Sequence, residues 1–137
     1  MITVTRKEHF NAAHRLFRED LTDEENLGIF GKCSNPNWHG HNYTLYVTVK
    51  GGIREDTGFV VDLRKLSSLI QEIVISKLDH KNINLEVDFM KGILPTTENL
   101  ACAIFNQLKP WIEGIGAEIH SVKIEETEKN SAEYTGL

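Results

Sequence analysis

The chain has 137 residues, of which 40% are hydrophobic, enough for one globular domain with a sizeable core but not for two. A formal net charge of -5 argues against a nucleic-acid partner, and no apolar run approaches the roughly 18 residues that a membrane-spanning helix needs. Two cysteines make no disulfide framework and the N-terminus lacks signal-peptide order, so we expect one domain over residues 1–137 in the cytoplasm.

The first half of the chain predicts two strands joined by a long loop. Apolar and polar residues alternate in the first strand, but Arg6 and Glu8 interrupt the apolar parity and indicate a bulge or an exposed middle. The loop over residues 17–37 is rich in charged and turn-forming residues, and long loops in compact domains usually carry function. The predicted elements are a strand over residues 2–16, a short helix near residues 22–27 and a strand over residues 39–50.

The second half predicts two amphipathic helices and a hairpin. Asp62 can cap the first helix, which ends near Leu78, and Pro95 with Thr96 begins the second, which Pro110 should end or kink. The order strand, strand, helix, helix, strand, strand predicts an α+β domain with a four-stranded antiparallel sheet and both helices on one face. The predicted buried residues of the helices are Leu63, Leu66, Ile70, Ile73 and Val74, then Leu100, Ile104, Leu108 and Trp111, and the hairpin joins residues 118–126 to residues 131–135.

Three histidines fall on apolar faces of the two N-terminal strands. His39 and His41 share the parity of the alternating run that follows them from Tyr43, and His14 shares the parity of Phe10. Two imidazoles at this spacing can chelate one ion, and a catalytic zinc needs three protein ligands and an open position, so His14 is the candidate third ligand. Histidines in strands also pack or hydrogen-bond without a metal, so spacing alone leaves both interpretations open.

Six short motifs span nearly the whole chain, and each would be weak alone. They are Phe10-Asn11-Ala12-Ala13-His14-Arg15-Leu16, Gly31-Lys32-Cys33, His39-Gly40-His41-Asn42-Tyr43, Leu78-Asp79-His80-Lys81-Asn82, Thr96-Thr97-Glu98-Asn99 and Glu126-Thr127. In this order they resemble the 6-pyruvoyl-tetrahydropterin synthase and 6-carboxytetrahydropterin synthase family. The resemblance implies the tunnelling fold, in which three sheets join into a barrel and two such rings stack as a homohexamer with sites between subunits. It also implies that His14, His39 and His41 bind Zn²⁺.

A thiol and a histidine-aspartate pair are the candidate proton-transfer groups. Cys33 lies in a polar loop beside Lys32, where a cation and a metal could lower the pKa of the thiol, although a cysteine is more commonly structural. The resemblance makes Cys33 the base that takes a proton from the substrate side chain, with Asp79 and His80 as its relay partners. Without it, the pair would be a helix C-terminal histidine and a solvated aspartate. Cys102 lies between alanines in a helix, where we expect it to pack.

Glu126 is the candidate anchor for the substrate because it ends an apolar row in the last long strand. A buried carboxylate needs a partner, which could be a nearby lysine or arginine, or the paired N–H groups of a pterin. The resemblance assigns Glu126 to the pterin. It adds Thr96, Thr97 and Glu98, which by position alone are a helix cap and a first-turn acid. Cations that could hold a triphosphate are Arg15, Lys32 and Lys129.

The resemblance implies a zinc-dependent lyase that converts 7,8-dihydroneopterin triphosphate to 6-pyruvoyl-tetrahydropterin with elimination of triphosphate. Five residues separate Cys33 from His39, which resembles the pyruvoyl-forming branch, because the carboxy-forming branch more often has a shorter spacing. One alternative is a 6-carboxy-5,6,7,8-tetrahydropterin synthase of the queuosine pathway, which would release acetaldehyde and triphosphate. The other is a pterin-binding zinc protein without turnover, which would need neither a thiol nor a relay.

Overall fold

The computed structural model describes residues 1–137 and contains an α+β fold, as the sequence predicts. It consists of ten strands and helices together with three short 3₁₀ or π turns. The strands are β1 (Ile2–His14), β2 (His39–Gly51), β3 (Lys81–Asn82), β4 (Glu118–Glu125) and β5 (Ser131–Tyr134), and the helices are α1 (Asp23–Phe30), α2 (Leu63–Ile70), α3 (Ser76–Leu78), α4 (Ile83–Glu86) and α5 (Thr97–Gly114).

The five strands form one mixed sheet in the order β3-β1-β2-β4-β5. The prediction of a four-stranded antiparallel sheet is wrong on both counts, because β3 pairs parallel to the end of β1 through Ala12 with Lys81 and Ala13 with Asn82. A strand of two residues has no periodicity of its own. Its pairing is set by the preceding turn, where the His80 N–H donates to the Asn11 carbonyl at 2.6 Å. This added strand fixes the segment after Asp79 against the strand that carries His14.

The middle of β1 has no bulge, and of the two residues that interrupt its apolar pattern Arg6 has a side chain that is 43% exposed, whereas Glu8 is buried. The pairing of β1 with β2 runs without a shift from Ile2 opposite Gly51 to His14 opposite His39. Glu8 faces the helices and is 8% exposed, and its carboxylate accepts hydrogen bonds from Arg6, Ser67 and Gln71 at 2.7–2.9 Å. A buried carboxylate is tolerated here because side-chain donors replace water.

Helices α2 and α5 cover one face of the sheet and bury its apolar residues in a single cluster. The first predicted helix is interrupted by a π turn at residues 71–75 and ends at Leu78. Pro110 does not end α5. Proline has no N–H to donate to the carbonyl of Asn106, four residues earlier, but both residues lie on the exposed side of the helix, where that carbonyl can bind water. Trp111 is 52% exposed and Ile112 takes the expected core position. None of the helices combines the length and apolarity that crossing a bilayer would require.

Candidate active site

Three imidazoles converge where β1 meets β2. His14 lies directly opposite His39 in the antiparallel register, and His41 lies opposite Ala12, so all three side chains point to the helix-covered face. One ring nitrogen from each lies within 4.8 Å of the others. Gly40 sits between the two β2 histidines because a Cβ there would lie 3.1 Å from the Ala12 carbonyl oxygen. The strand parity seen in the sequence therefore produces a real cluster of potential ligands.

The protonation and hydrogen bonding of these imidazoles suit metal binding. His14 is fully buried and its Nδ1 lies 2.8 Å from the Pro95 carbonyl oxygen, an acceptor that requires Nδ1 to carry the proton and leaves Nε2 free. That Nε2 lies 3.1 Å from Nε2 of His39, close to the roughly 3.3 Å that two ligands of a tetrahedral zinc would have. Burial lowers the pKa of His14 and of His39, which favours the neutral ligand form.

Two buried nitrogens of the cluster, His39 Nδ1 and His41 Nε2, have no hydrogen-bond partner within the protein. Buried polar atoms without partners are costly, so the unpaired Nε2 of His41 indicates a group that the chain itself does not supply, whereas His39 meets the cluster through its other nitrogen, Nε2. Tyr43 completes the wall of the cluster. Its hydroxyl lies 3.5 Å from His14 Nδ1 and its ring stacks on Phe10 at 4.8 Å, while burial raises the pKa of Tyr43 and keeps the hydroxyl protonated. The residues present therefore fit a divalent metal with imidazole ligands.

A cavity of about 280 Å³ opens beside the cluster and collects five of the residues singled out in the sequence. Cys33, Thr96, Thr97, Glu98 and Glu126 line it, although they come from three separate parts of the chain. A larger hollow of about 500 Å³ lies between α5 and the C-terminal residues and contains none of them. The remaining lining residues of the smaller cavity are Leu16, the last residue of the first motif, and Asn130 and Ser131, which the sequence did not single out.

Glu126 joins the cavity to the histidines. Its Oε2 accepts a hydrogen bond from Thr97 Oγ1 at 2.9 Å, and its Oε1 lies 3.8 Å from His41 Nε2. The side chain is 17% exposed, so the carboxylate is held at the cavity wall with one oxygen available. Thr96 also caps α5, because its hydroxyl accepts a hydrogen bond from the Asn99 N–H at 3.1 Å. This is the helix-cap role that its position in the sequence predicts.

Cys33 lies in the 3₁₀ turn Gly31–Ser34 and is partly buried. The sequence predicts a lowered thiol pKa, but the protein groups act in the opposite direction: burial raises the pKa of Cys33, and the charge of Glu126 adds to it. A thiol in this setting needs a base or a bound cation to become a thiolate. Cys102 is partly buried on α5, with Asn106 Nδ2 3.8 Å from its sulfur, and lines neither cavity.

Asp79 and His80 lie at the edge of the sheet and line neither cavity. Asp79 Oδ1 accepts the Asn11 N–H at 2.9 Å, and this bond is the main reason why the pKa of Asp79 is lowered. Asp79 Oδ2 lies 3.1 Å from His80 Nδ1, so the carboxylate orients the imidazole. His80 has a left-handed φ of 61°, and apart from its contact with Asp79 its side chain is largely exposed, at 81%. A single chain therefore assembles the pair itself but does not bring it into the cavity of Cys33.

Comparison with known proteins places this arrangement in a family. A family model described as 6-pyruvoyl tetrahydropterin synthase matches residues 3–137. A 6-pyruvoyl tetrahydrobiopterin synthase of Dictyostelium discoideum is 44% identical over 135 residues, which cover 98% of this chain and 96% of that protein. The solved structure of the Caenorhabditis elegans 6-pyruvoyl tetrahydropterin synthase has a TM-score of 0.90 at 39% identity and covers 99% of this chain and 96% of its own.

A more distant relative comes from the other branch. A 6-carboxy-5,6,7,8-tetrahydropterin synthase of Bacillus subtilis (strain 168) is 32% identical over 108 residues, which cover 77% of this chain and 64% of that protein. The pyruvoyl-forming relatives are thus more similar and match a larger part of the chain. With its three clustered histidines and the adjoining cavity, the chain belongs to the 6-pyruvoyl tetrahydropterin synthase family.

Proposed function

We propose that this chain is a zinc-dependent lyase that converts 7,8-dihydroneopterin triphosphate to 6-pyruvoyl-tetrahydropterin and releases triphosphate. The observation that carries the proposal is the contact between two adjacent features, the cluster of three imidazoles and the cavity walled by Cys33 and Glu126. Similarity to 6-pyruvoyl tetrahydrobiopterin synthases over nearly the full length supports the pyruvoyl product. Residues 1–137 form one domain of the tunnelling fold in this proposal.

His14, His39 and His41 hold the zinc. When bound, the metal would act as a Lewis acid that orients and polarises the hydroxyl groups of the substrate side chain. The carbonyl of Pro95 keeps His14 in the tautomer that offers Nε2, and Tyr43 with Phe10 packs behind the rings. The protein therefore holds three neutral donors in place before any ligand binds.

Glu126 holds the pterin by accepting hydrogen bonds from its 2-amino and N3 groups, a paired charge-assisted contact. Thr97 fixes the carboxylate by donating a hydrogen bond to Oε2, and Oε1 takes no part in that hydrogen bond. Thr96 and Glu98 line the same cavity and add contacts to the ring. Oε1 of Glu126 lies 3.8 Å from His41 Nε2, so the proposed pterin site adjoins the histidine cluster.

Cys33 removes a proton from the side chain of the substrate, and His80 with Asp79 transfers it onward. Because burial raises the pKa of Cys33, the thiol needs a neighbouring base, and an imidazole oriented by an ionised carboxylate is suited to that task. His80 is 81% exposed, and in the proposed homohexamer, a dimer of trimers, it serves the Cys33 of another subunit. A reduced Cys33 thiol suits the cytoplasm.

The test is incubation of the zinc-loaded protein with 7,8-dihydroneopterin triphosphate, with the pterin product weighed by mass spectrometry while aldehydes are trapped. We expect a product that keeps the three-carbon side chain and no acetaldehyde. Stoichiometric acetaldehyde with a 6-carboxy pterin would move the protein to the branch of the Bacillus relative and leave the site intact. Binding of a pterin without any turnover would favour a non-catalytic zinc protein.

A further inference from the structure

The side chain of Arg15 points into the protein, although the sequence makes it a candidate for binding triphosphate. It follows His14 directly and is 13% exposed. Its Nε donates to the Ser34 carbonyl oxygen at 2.8 Å, and its guanidinium lies 4.0 Å from the ring centroid of Phe17. The remaining contact is with Asp23, whose Oδ1 is 3.4 Å from Nη2. One face of the guanidinium and its Nε donor are therefore already engaged in contacts within the chain.

The Ser34 carbonyl belongs to the turn that carries Cys33. The carbonyl of Cys33 itself is also held, by the chain that follows the end of β1. Leu16 donates its N–H to the Cys33 carbonyl oxygen at 2.8 Å, next to the bond from Arg15. Within the turn, Ser34 Oγ donates to the Gly31 carbonyl at 2.8 Å, and Gly31 adopts a φ of 62°, which favours glycine. Two consecutive residues after His14 thus fix two consecutive carbonyls around the thiol.

The main chain of Arg15 makes a third connection. Its N–H donates to Asn84 Oδ1 at 2.9 Å, and its carbonyl accepts from Asn84 Nδ2 at 2.9 Å, a paired contact that resembles one rung of a sheet. Asn84 lies in α4, which follows the Asp79-His80 segment and β3. Arg15 therefore links the chain next to His14 with the Cys33 turn and with the helix that continues from the relay pair.

We propose that Arg15 is a positioning residue, which holds the Cys33 turn at a fixed distance from the histidine cluster rather than binding the triphosphate. Its kinetic consequence rests on the proposed lyase function. The guanidinium is suited to this task, because Nε and the two amino groups lie in one plane and can hold a carbonyl while the face stacks on an aromatic ring. Lysine offers a flexible point charge and does not reproduce both contacts.

The experiment compares Arg15→Met and Arg15→Lys, both in a Cys102→Ser background so that Cys33 is the only thiol. Without substrate, the rate of Cys33 alkylation by iodoacetamide at one pH should rise about threefold or more in both variants, because a released turn exposes a partly buried thiol. With substrate, kcat should fall about tenfold or more while KM stays within about threefold, since a small displacement of the base slows chemistry more than binding. Zinc content should not change.

Arg18→Ala is the matched control, because Arg18 lies in the same loop, is 56% exposed and its side chain binds only Asp20. It should leave alkylation and kinetics unchanged. An alkylation rate in the Arg15 variants equal to that of the control overturns the positioning role, and so does a raised KM with normal kcat that lysine restores. If Arg15→Met does not fold, Arg15→Lys carries both measurements. A wild-type protein without lyase activity refutes the proposed function alone, since the alkylation comparison still decides the position of the turn.

Discussion

Replacing Glu126 by glutamine should weaken pterin binding without releasing the metal. The carboxylate has one oxygen tied to Thr97 and a second oxygen free at the cavity wall. An amide keeps one acceptor and presents an N–H₂ group to the donor groups of the pterin, so one charge-assisted hydrogen bond is lost. Such a bond contributes about 1.5–3 kcal/mol, which corresponds to a rise in Kd of roughly 10- to 150-fold. Fluorescence titration with neopterin on zinc-loaded protein measures the change, and metal analysis checks zinc occupancy.

The matched control is Glu125→Gln, the same substitution one residue earlier on the opposite face of β4. Glu125 accepts a hydrogen bond from the Tyr46 hydroxyl at 3.0 Å and lines neither the cavity nor the histidine cluster. We expect its Kd for neopterin to equal that of the wild type. An unchanged Kd in Glu126→Gln, or an equal loss in both variants, would refute the anchoring role of Glu126.

Three further predictions concern the metal, the thiol and the sheet. His14→Ala should lose most of the bound zinc, whereas His120→Ala, on an exposed position of β4, should keep it; equal metal content by elemental analysis would exclude His14 as a ligand. Cys33→Ala should retain zinc and neopterin binding but lose about 10²- to 10⁴-fold in kcat, whereas the control Cys102→Ala should have a kcat near that of the wild type. A near-normal steady-state rate in Cys33→Ala would remove Cys33 from the chemistry. Glu8→Gln should reduce the free energy of unfolding by about 1.5–3 kcal/mol in urea at pH 7. Because the pKa of Glu8 is lowered in the folded protein, this difference should be full above the ordinary carboxyl pKa and shrink as the pH falls below it, and a pH-independent difference would contradict the carboxylate's role.

The sequence was sufficient to bring together those residues of the candidate site that lie on regular strands. His14, His39 and His41 share a face because side chains alternate along a strand, and this rule needs no knowledge of the partner strand. The same rule placed Phe10 and Tyr43 in the core, and the spacing of apolar residues located α2 and α5. Short motifs in a fixed order were enough to identify the family.

The burial of Glu8 and the pairing of β3 could not be predicted from the sequence. Glu8 interrupts an apolar pattern, and only the tertiary structure supplies the Ser67 and Gln71 donors that make its burial tolerable. Two residues of β3 carry no periodicity, and their pairing depends on the backbone of Asn11.

Whether a cation such as Arg15 faces a ligand or a neighbouring carbonyl depends on contacts between residues distant in the chain. Local sequence therefore determined which side chains share a face, because that follows from the geometry of one strand or helix. The folded chain decided which polar groups meet, because their partners, such as the Pro95 carbonyl for His14 and the Ser34 carbonyl for Arg15, lie 19 or more residues away.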